Sequence, residues 1–229
     1  MEAKVYEPHE HAERRYRGFR TVDLLREVFG PDWLNSDEVV FQCADGYESV
    51  VPVERLKNHP SYLAFESPGR PFRLMNRAQG KEDVALGPYY LVWGNLEDHA
   101  LRKEDGAYWP YQVVSVELIR FEERYPKLVP PKNASKSVRR GFEVFRTHCM
   151  TCHSVNGQGG KKGIDLNAPV SVTEYWKEVW LKRWISDPAK MRPGTAMPPL
   201  DPQMPDRQRA LEDVVRYLRA MAKTRPINP

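Results

Sequence analysis

Cys149-Met150-Thr151-Cys152-His153 is the stretch on which the reading of this chain turns. Two thiols stand two residues apart, and an imidazole follows the second directly. A bare C-x-x-C admits several chemistries. A zinc site would want a second ligand pair, and no further Cys pair exists in the chain. A thioredoxin-like site would want a βαβ setting, whereas the flanking sequence reads as helix. A structural disulfide between the two thiols would leave His153 without a role.

The five-residue pattern as a whole is that of covalent c-type haem attachment. Two thiols add to the two vinyl groups of a porphyrin, and the two-residue gap matches their separation along one helical turn. The histidine directly after the second cysteine is then brought under the iron as an axial ligand. Tethering lets a small domain keep its cofactor, and the porphyrin fills a core otherwise too small. The chain holds one such motif. One covalent haem c and single-electron transfer are therefore the expectation, with cofactor-binding residues Cys149, Cys152 and His153.

Working outward, the pattern is helical. Ser135 to Cys149 carries Val138, Phe142 and Phe145 at helix spacing. Val172 to Ser186 reads as one helix with Trp176, Trp180 and Trp184 at successive i+4 steps, a stripe expected to be core rather than an electron wire. Asp206 to Lys223 places Leu211, Val214, Val215, Leu218 and Met221 along a helix. Asn156 to Ala168 and Pro188 to Pro205 read as irregular.

Residues from about Ser135 to Lys223 resemble a class I cytochrome c domain. Gly141-Phe142-x-x-Phe145-x-x-x-Cys149 is similar to the first helix of that family, and Leu181-x-x-Trp184-Ile185-x-x-Pro188 to its middle helix. Arg192-Pro193-Gly194-Thr195-Ala196-Met197-Pro198-Pro199 resembles its methionine loop. Tyr217-Leu218 falls where the family sets an aromatic against the glycine of the first helix, so Gly141 would allow a close crossing. The resemblance implies Met197 as the second axial ligand beside His153, these two being the metal ligands. Met191 and Met204 lie in the same irregular region and are rivals; His148 is expected at the surface. Two strong axial ligands would leave no open position for substrate, so electron transfer is expected rather than catalysis at the haem.

The first half reads differently. Residues 1–20 are polar and charged and are expected to form an extended arm. Thr21 to Phe29 reads as a short helix stopped by Gly30-Pro31. Val39 to Cys43 and Ser49 to Val53 read as strands about the turn Ala44-Asp45-Gly46-Tyr47. Pro60 to Phe65 reads as a short helix, and Tyr89 to Trp93 and Val113 to Phe121 as strands. The expected class is α+β: a polar arm at 1–20, a β-rich domain at 21–124, a Pro-rich linker at 125–134 and an all-α cytochrome c domain at 135–229. Phe41 to Tyr47, Val50 to Val53 and Leu86-Gly87-Pro88-Tyr89-Tyr90-Leu91-Val92 resemble part of the sulfite-oxidase type molybdopterin-binding fold. That family's cysteine-ligand motif and run of pterin-contacting arginines are missing. A degenerate, cofactor-free domain that docks on a partner or a membrane complex is the preferred reading. Cys43 is expected to be a buried structural thiol, and His9 and His11 to belong to a flexible arm rather than a metal site.

Charge changes sign along the chain. Residues 1–130 hold 17 Lys and Arg against 22 Asp and Glu, and residues 131–229 hold 18 against 9. The basic half is read as a solvated surface or a docking face for an acidic redox protein, with Lys161, Lys162, Lys177, Lys182 and Arg183 near the haem edge, rather than as a nucleic-acid site. No apolar run is long enough to span a bilayer. Haem attachment of this kind takes place outside the cytoplasm, so a periplasmic location, or the outer face of the cytoplasmic membrane, is expected, with a leader removed. The expected function is a carrier or haem subunit of a periplasmic redox chain, serving redox proteins or a larger respiratory complex. The alternative is an oxidoreductase whose first domain holds molybdenum or another metal and reduces the haem.

Overall fold

A computed structural model describes residues 1–76, 83–103 and 106–225. Residues 226–229, counted above into the second domain, lie outside it, as do 77–82 and 104–105 of the first. The chain divides into two compact units, residues 1–124 and 125–229. The fold class is α+β, a β-rich unit followed by a helical one.

The first unit runs β1 (Glu2–Glu7), β2 (Ala12–Arg20), α1 (Thr21–Phe29), β3 (Glu38–Cys43), β4 (Glu48–Pro52), α2 (Val53–Asn58), β5 (Ser61–Glu66), the short ribbon β6 (Arg73–Leu74) and β7 (Val84–Ala85), β8 (Tyr89–Trp93), α3 (His99–Lys103), β9 (Tyr111–Ile119) and α4 (Phe121–Arg124). Among the described residues, seven strands make one antiparallel sheet in the order β1-β2-β5-β8-β9-β3-β4. The β3–β4 hairpin turns on Gly46 at φ 83°, a conformation that suits glycine, and Cys43 N–H closes it on Tyr47 O at 2.8 Å. Trp33, Phe41, Tyr90, Leu91 and Trp93 are the bulk of the core, and Cys43 is buried at the end of β3.

Two expectations fail here. Residues 1–20 are no arm: β1 and β2 pair with each other, and β2 pairs with β5 inside the sheet. Alternate residues Ala3, Val5 and Glu7 and then Arg14 and Tyr16 point inward. Two of those inward positions are charged, which hid the period of two. His9, at the tip, lies edge-on to Tyr111 with ring centroids 6.2 Å apart. Pro60 to Phe65 is no helix either. Ser61–Glu66 is a central strand because both its edges find partners, β2 and β8, and pairing overrides local preference.

The second unit holds α5 (Lys136–His148), the ribbon β10 (Ser154–Val155) and β11 (Gln158–Gly159), α6 (Val172–Tyr175), α7 (Glu178–Ser186), α8 (Pro188–Met191) and α9 (Arg207–Ala222). Ser135 caps α5, its Oγ accepting from Val138 N–H. The helices α5 and α9 cross at Gly141, where a Cβ would sit 1.9 Å from Asp213 O and 3.0 Å from Tyr217 Cβ. Phe142 and Phe145 pack on the Tyr217 ring at 5.5 and 5.2 Å. Asp213 is buried at this crossing and accepts from Arg140 at 2.7 Å and Arg216 at 2.8 Å.

The segment at 125–134 is a strap rather than a free linker. Tyr125 and Leu128 are buried, and Leu128 O accepts from the Tyr217 hydroxyl at 2.8 Å. Apolar residues between the prolines give it something to bury. The single helix expected from Val172 to Ser186 is broken at Trp176, whose backbone is extended (φ −101°, ψ 133°). Trp176 and Trp184 then meet through the break, centroids 5.9 Å apart. Among the described residues no helix is long and apolar enough to cross a membrane.

Candidate functional site

The Cys149–His153 turn continues from the last turn of α5. Cys149 N–H bonds to Phe145 O at 2.9 Å, and Cys149 O accepts from both Cys152 N–H (3.1 Å) and His153 N–H (2.9 Å). One turn of backbone thus carries both thiols and the imidazole. Among the described residues no disulfide joins Cys149 to Cys152. Burial pushes the Cys149 thiol up to about 12.

The imidazole is oriented by a loop that comes back over it. His153 Nδ1 lies 2.8 Å from Ile164 O. A carbonyl can only accept, so Nδ1 carries the proton and Nε2 keeps its lone pair. Burial holds the ring below the usual histidine range, which favours the neutral, ligating form. The loop fits because it lacks side chains at the contacts. A Cβ on Gly163 would lie 2.5 Å from His153 Cε1, and one on Gly160 would lie 2.2 Å from Thr151 O. Gly163 N–H also bonds to Cys152 O at 2.7 Å. The donor set is therefore two thiols and one imidazole with a free Nε2, which suits a covalently held iron porphyrin.

Met197 stands on a different segment, the loop after α8. It is half-buried, and its N–H bonds to Thr195 Oγ1 at 3.3 Å. Of its rivals, Met191 is exposed at the end of α8 and Met204 is half-buried in a turn closed on Asp201 O. The far end of the loop is clamped by Arg207. Its guanidinium donates to Leu200 O, Asp201 O, Ser186 O and Ser186 Oγ at 2.7 to 3.1 Å. His148 is half-buried as the last residue of α5.

Residues 138–222 match the cytochrome c family model. The match runs from the first turns of α5 to the end of α9, so the second unit carries a cytochrome c domain. A cytochrome c domain implies covalently bound haem c, and haem-based electron transfer is the function the domain supports. The match does not extend to the first unit, where the likeness to a molybdopterin-binding fold gains no support.

Several parts of the cytochrome c domain escaped the sequence reading. Asn156 and Gly157, both at positive φ, turn the β10–β11 hairpin inside a stretch read as irregular. The Asn-Gly dipeptide was the available signal. The Ile164 carbonyl and the Arg207 clamp had no local signal at all. Of the tryptophans, Trp180 is exposed and lies under Arg183, whose guanidinium carbon is 4.7 Å from the ring. It lines an open surface depression of about 620 Å³ with Arg183, Ser186, Asp187, Lys190 and Met191. Of the expected basic face, Lys161 and Lys177 are exposed and Lys182 is paired with Glu178 at 2.6 Å.

Proposed function

We propose that this chain passes single electrons through one haem c attached at Cys149 and Cys152, with His153 and Met197 as its axial ligands, in a redox chain on the periplasmic side. The observation that carries the reading is the His153 geometry: on the same turn as both thiols, Nδ1 is tied to Ile164 O at 2.8 Å and Nε2 remains available. The single C-x-x-C-H motif supports one haem per chain. When bound, the haem supplies a one-electron couple. The protein contributes the two thiols as anchors, a fixed neutral imidazole and a thioether on a clamped loop. A thioether is a soft, uncharged ligand that favours ferrous iron, so the pair would raise the potential above that of two histidines.

The excess of cations over residues 131–229 supports an acidic redox protein, or an acidic surface of a larger respiratory complex, as partner. Purified, matured chain is expected to keep its pigment through acidic acetone and to give one haem per chain as the pyridine complex. A pigment that acid acetone extracts refutes covalent attachment. Met197→Ala is expected to abolish the weak sulfur-to-ferric-iron band at the red end of the spectrum. Survival of that band would move the role to Met191 or Met204.

A further inference from the structure

One carboxylate joins the two segments behind the His153 imidazole. Asp165 Oδ2 accepts from Ser154 Oγ (3.0 Å) and Gly157 N–H (2.7 Å), which ties it to the β10–β11 hairpin directly after His153. Its Oδ1 accepts from Asn167 N–H (2.7 Å) and Ala168 N–H (2.9 Å), which closes the loop on its other side. Leu166 N–H adds a bond to Ser154 O at 2.8 Å. Asn167 in turn donates to Asn156 Oδ1 and to Met221 O, fastening the same loop to α9. Ile164, whose carbonyl receives Nδ1–H, is the residue immediately before this knot. Its own side chain is exposed, so packing does not hold it. The carbonyl is held before it by Gly163 N–H on Cys152 O at 2.7 Å, and after it by Leu166 N–H on Ser154 O and the four bonds Asp165 accepts.

We infer that Asp165 is the positioning residue for the axial imidazole: its carboxylate, by tying the 154–157 hairpin to the 166–168 loop, holds the Ile164 carbonyl at the distance that keeps Nδ1–H donated and the ring fixed. The inference rests on His153 as a haem ligand. A firm Nδ1–H···O bond makes the imidazole a stronger donor to the metal, as outer partners of ligating histidines do. Loosening it weakens donation to ferric iron and raises the reduction potential. Losing a nearby negative charge raises the potential too, so potential alone cannot separate positioning from charge. Exchange of the His153 Nδ1 proton with solvent can, because charge alone does not open the hydrogen bond.

The experiment uses the full-length haem-loaded chain in three forms: wild type, Asp165→Asn and Ser154→Ala. Ser154→Ala removes one bond to the carboxylate and leaves its charge. In Asp165→Asn, Nδ1–H exchange in the ferrous protein is expected to rise by about tenfold, the effect of losing one hydrogen bond to a charged acceptor, together with a rise in potential. Ser154→Ala is expected to show a smaller change of the same sign in both. A raised potential in Asp165→Asn with wild-type exchange overturns the inference and leaves only a charge effect. If Asp165→Asn does not mature, Ser154→Ala decides, and wild-type exchange there overturns the inference. Absence of covalent haem in the wild-type chain overturns the parent reading instead, so the two failures are distinct.

Discussion

Glu7 offers the sharpest test of the first unit. Its side chain is fully buried between β1, β2 and β8, accepting from the Tyr16 hydroxyl at 2.8 Å and the Tyr90 hydroxyl at 2.9 Å, with His9 N–H at 3.2 Å. Nearby, Glu10 and Arg14 pair with each other, so little net positive charge reaches Glu7. Loss of hydration outweighs the three donors, and the carboxyl is raised from 4.5 to about 7. Each pKa unit corresponds to about 1.4 kcal/mol, so the shift costs the folded state about 3 kcal/mol at alkaline pH. The sign follows from which state ionises first. Below pH 4.5 the carboxyl is protonated in both states, and no stability is lost through it. Between pH 4.5 and about 7 the unfolded chain releases the proton and the folded one retains it, so stability falls as pH rises. Above about pH 7 the loss is complete. Glu7→Gln removes the titration and keeps the shape. Urea unfolding of both proteins, followed by tryptophan fluorescence from pH 4 to 8, cancels every other titrating group on subtraction. The wild type is expected to lose about 3 kcal/mol relative to the variant across that range. A difference that stays flat, or that grows in favour of the wild type with rising pH, refutes the burial argument.

Other outcomes follow from the second unit. Gly141→Ala drives a methyl group into Asp213 O at 1.9 Å and is expected to destabilise the cytochrome c domain by about 3 kcal/mol, read as an earlier loss of the haem spectrum on heating. Arg207→Leu leaves Leu200 O and Ser186 O without the guanidinium and Asp201 O with Met204 N–H alone; on the proposed Met197 ligation, the sulfur-to-iron band is expected to vanish at a lower temperature than in wild type, with attachment at Cys149 and Cys152 unchanged. Gly157→Ala places a side chain at φ 79°, a strain of about 1 kcal/mol that denaturant melts of the second unit would show.

Much of the local chemistry was legible in the amino acids. The Cys149–His153 turn, α5, α9, and the Asp45-Gly46 hairpin depend on contacts within a few residues, and short-range patterns record such contacts directly. The role of Gly141 came from the resemblance to the first helix of the cytochrome c family, and the crossing gives its reason: a Cβ there would sit 1.9 Å from Asp213 O. Charge misled at the N-terminus: inward-facing Glu7 and Arg14 broke the apolar alternation of β1 and β2, and a sheet hairpin looked like a solvated arm.

Tertiary structure decided the rest. Ser61–Glu66 became a strand because β2 and β8 lie on its two sides, partners supplied by segments far away in sequence. His153 took its tautomer from Ile164, eleven residues on, and the loop that follows is tied to the 154–157 hairpin through Asp165. Arg207 reached back to Ser186 and Leu200. A residue type states what a side chain is able to donate or accept. Which partner it meets, and how much water surrounds it, is set only when distant segments close upon one another.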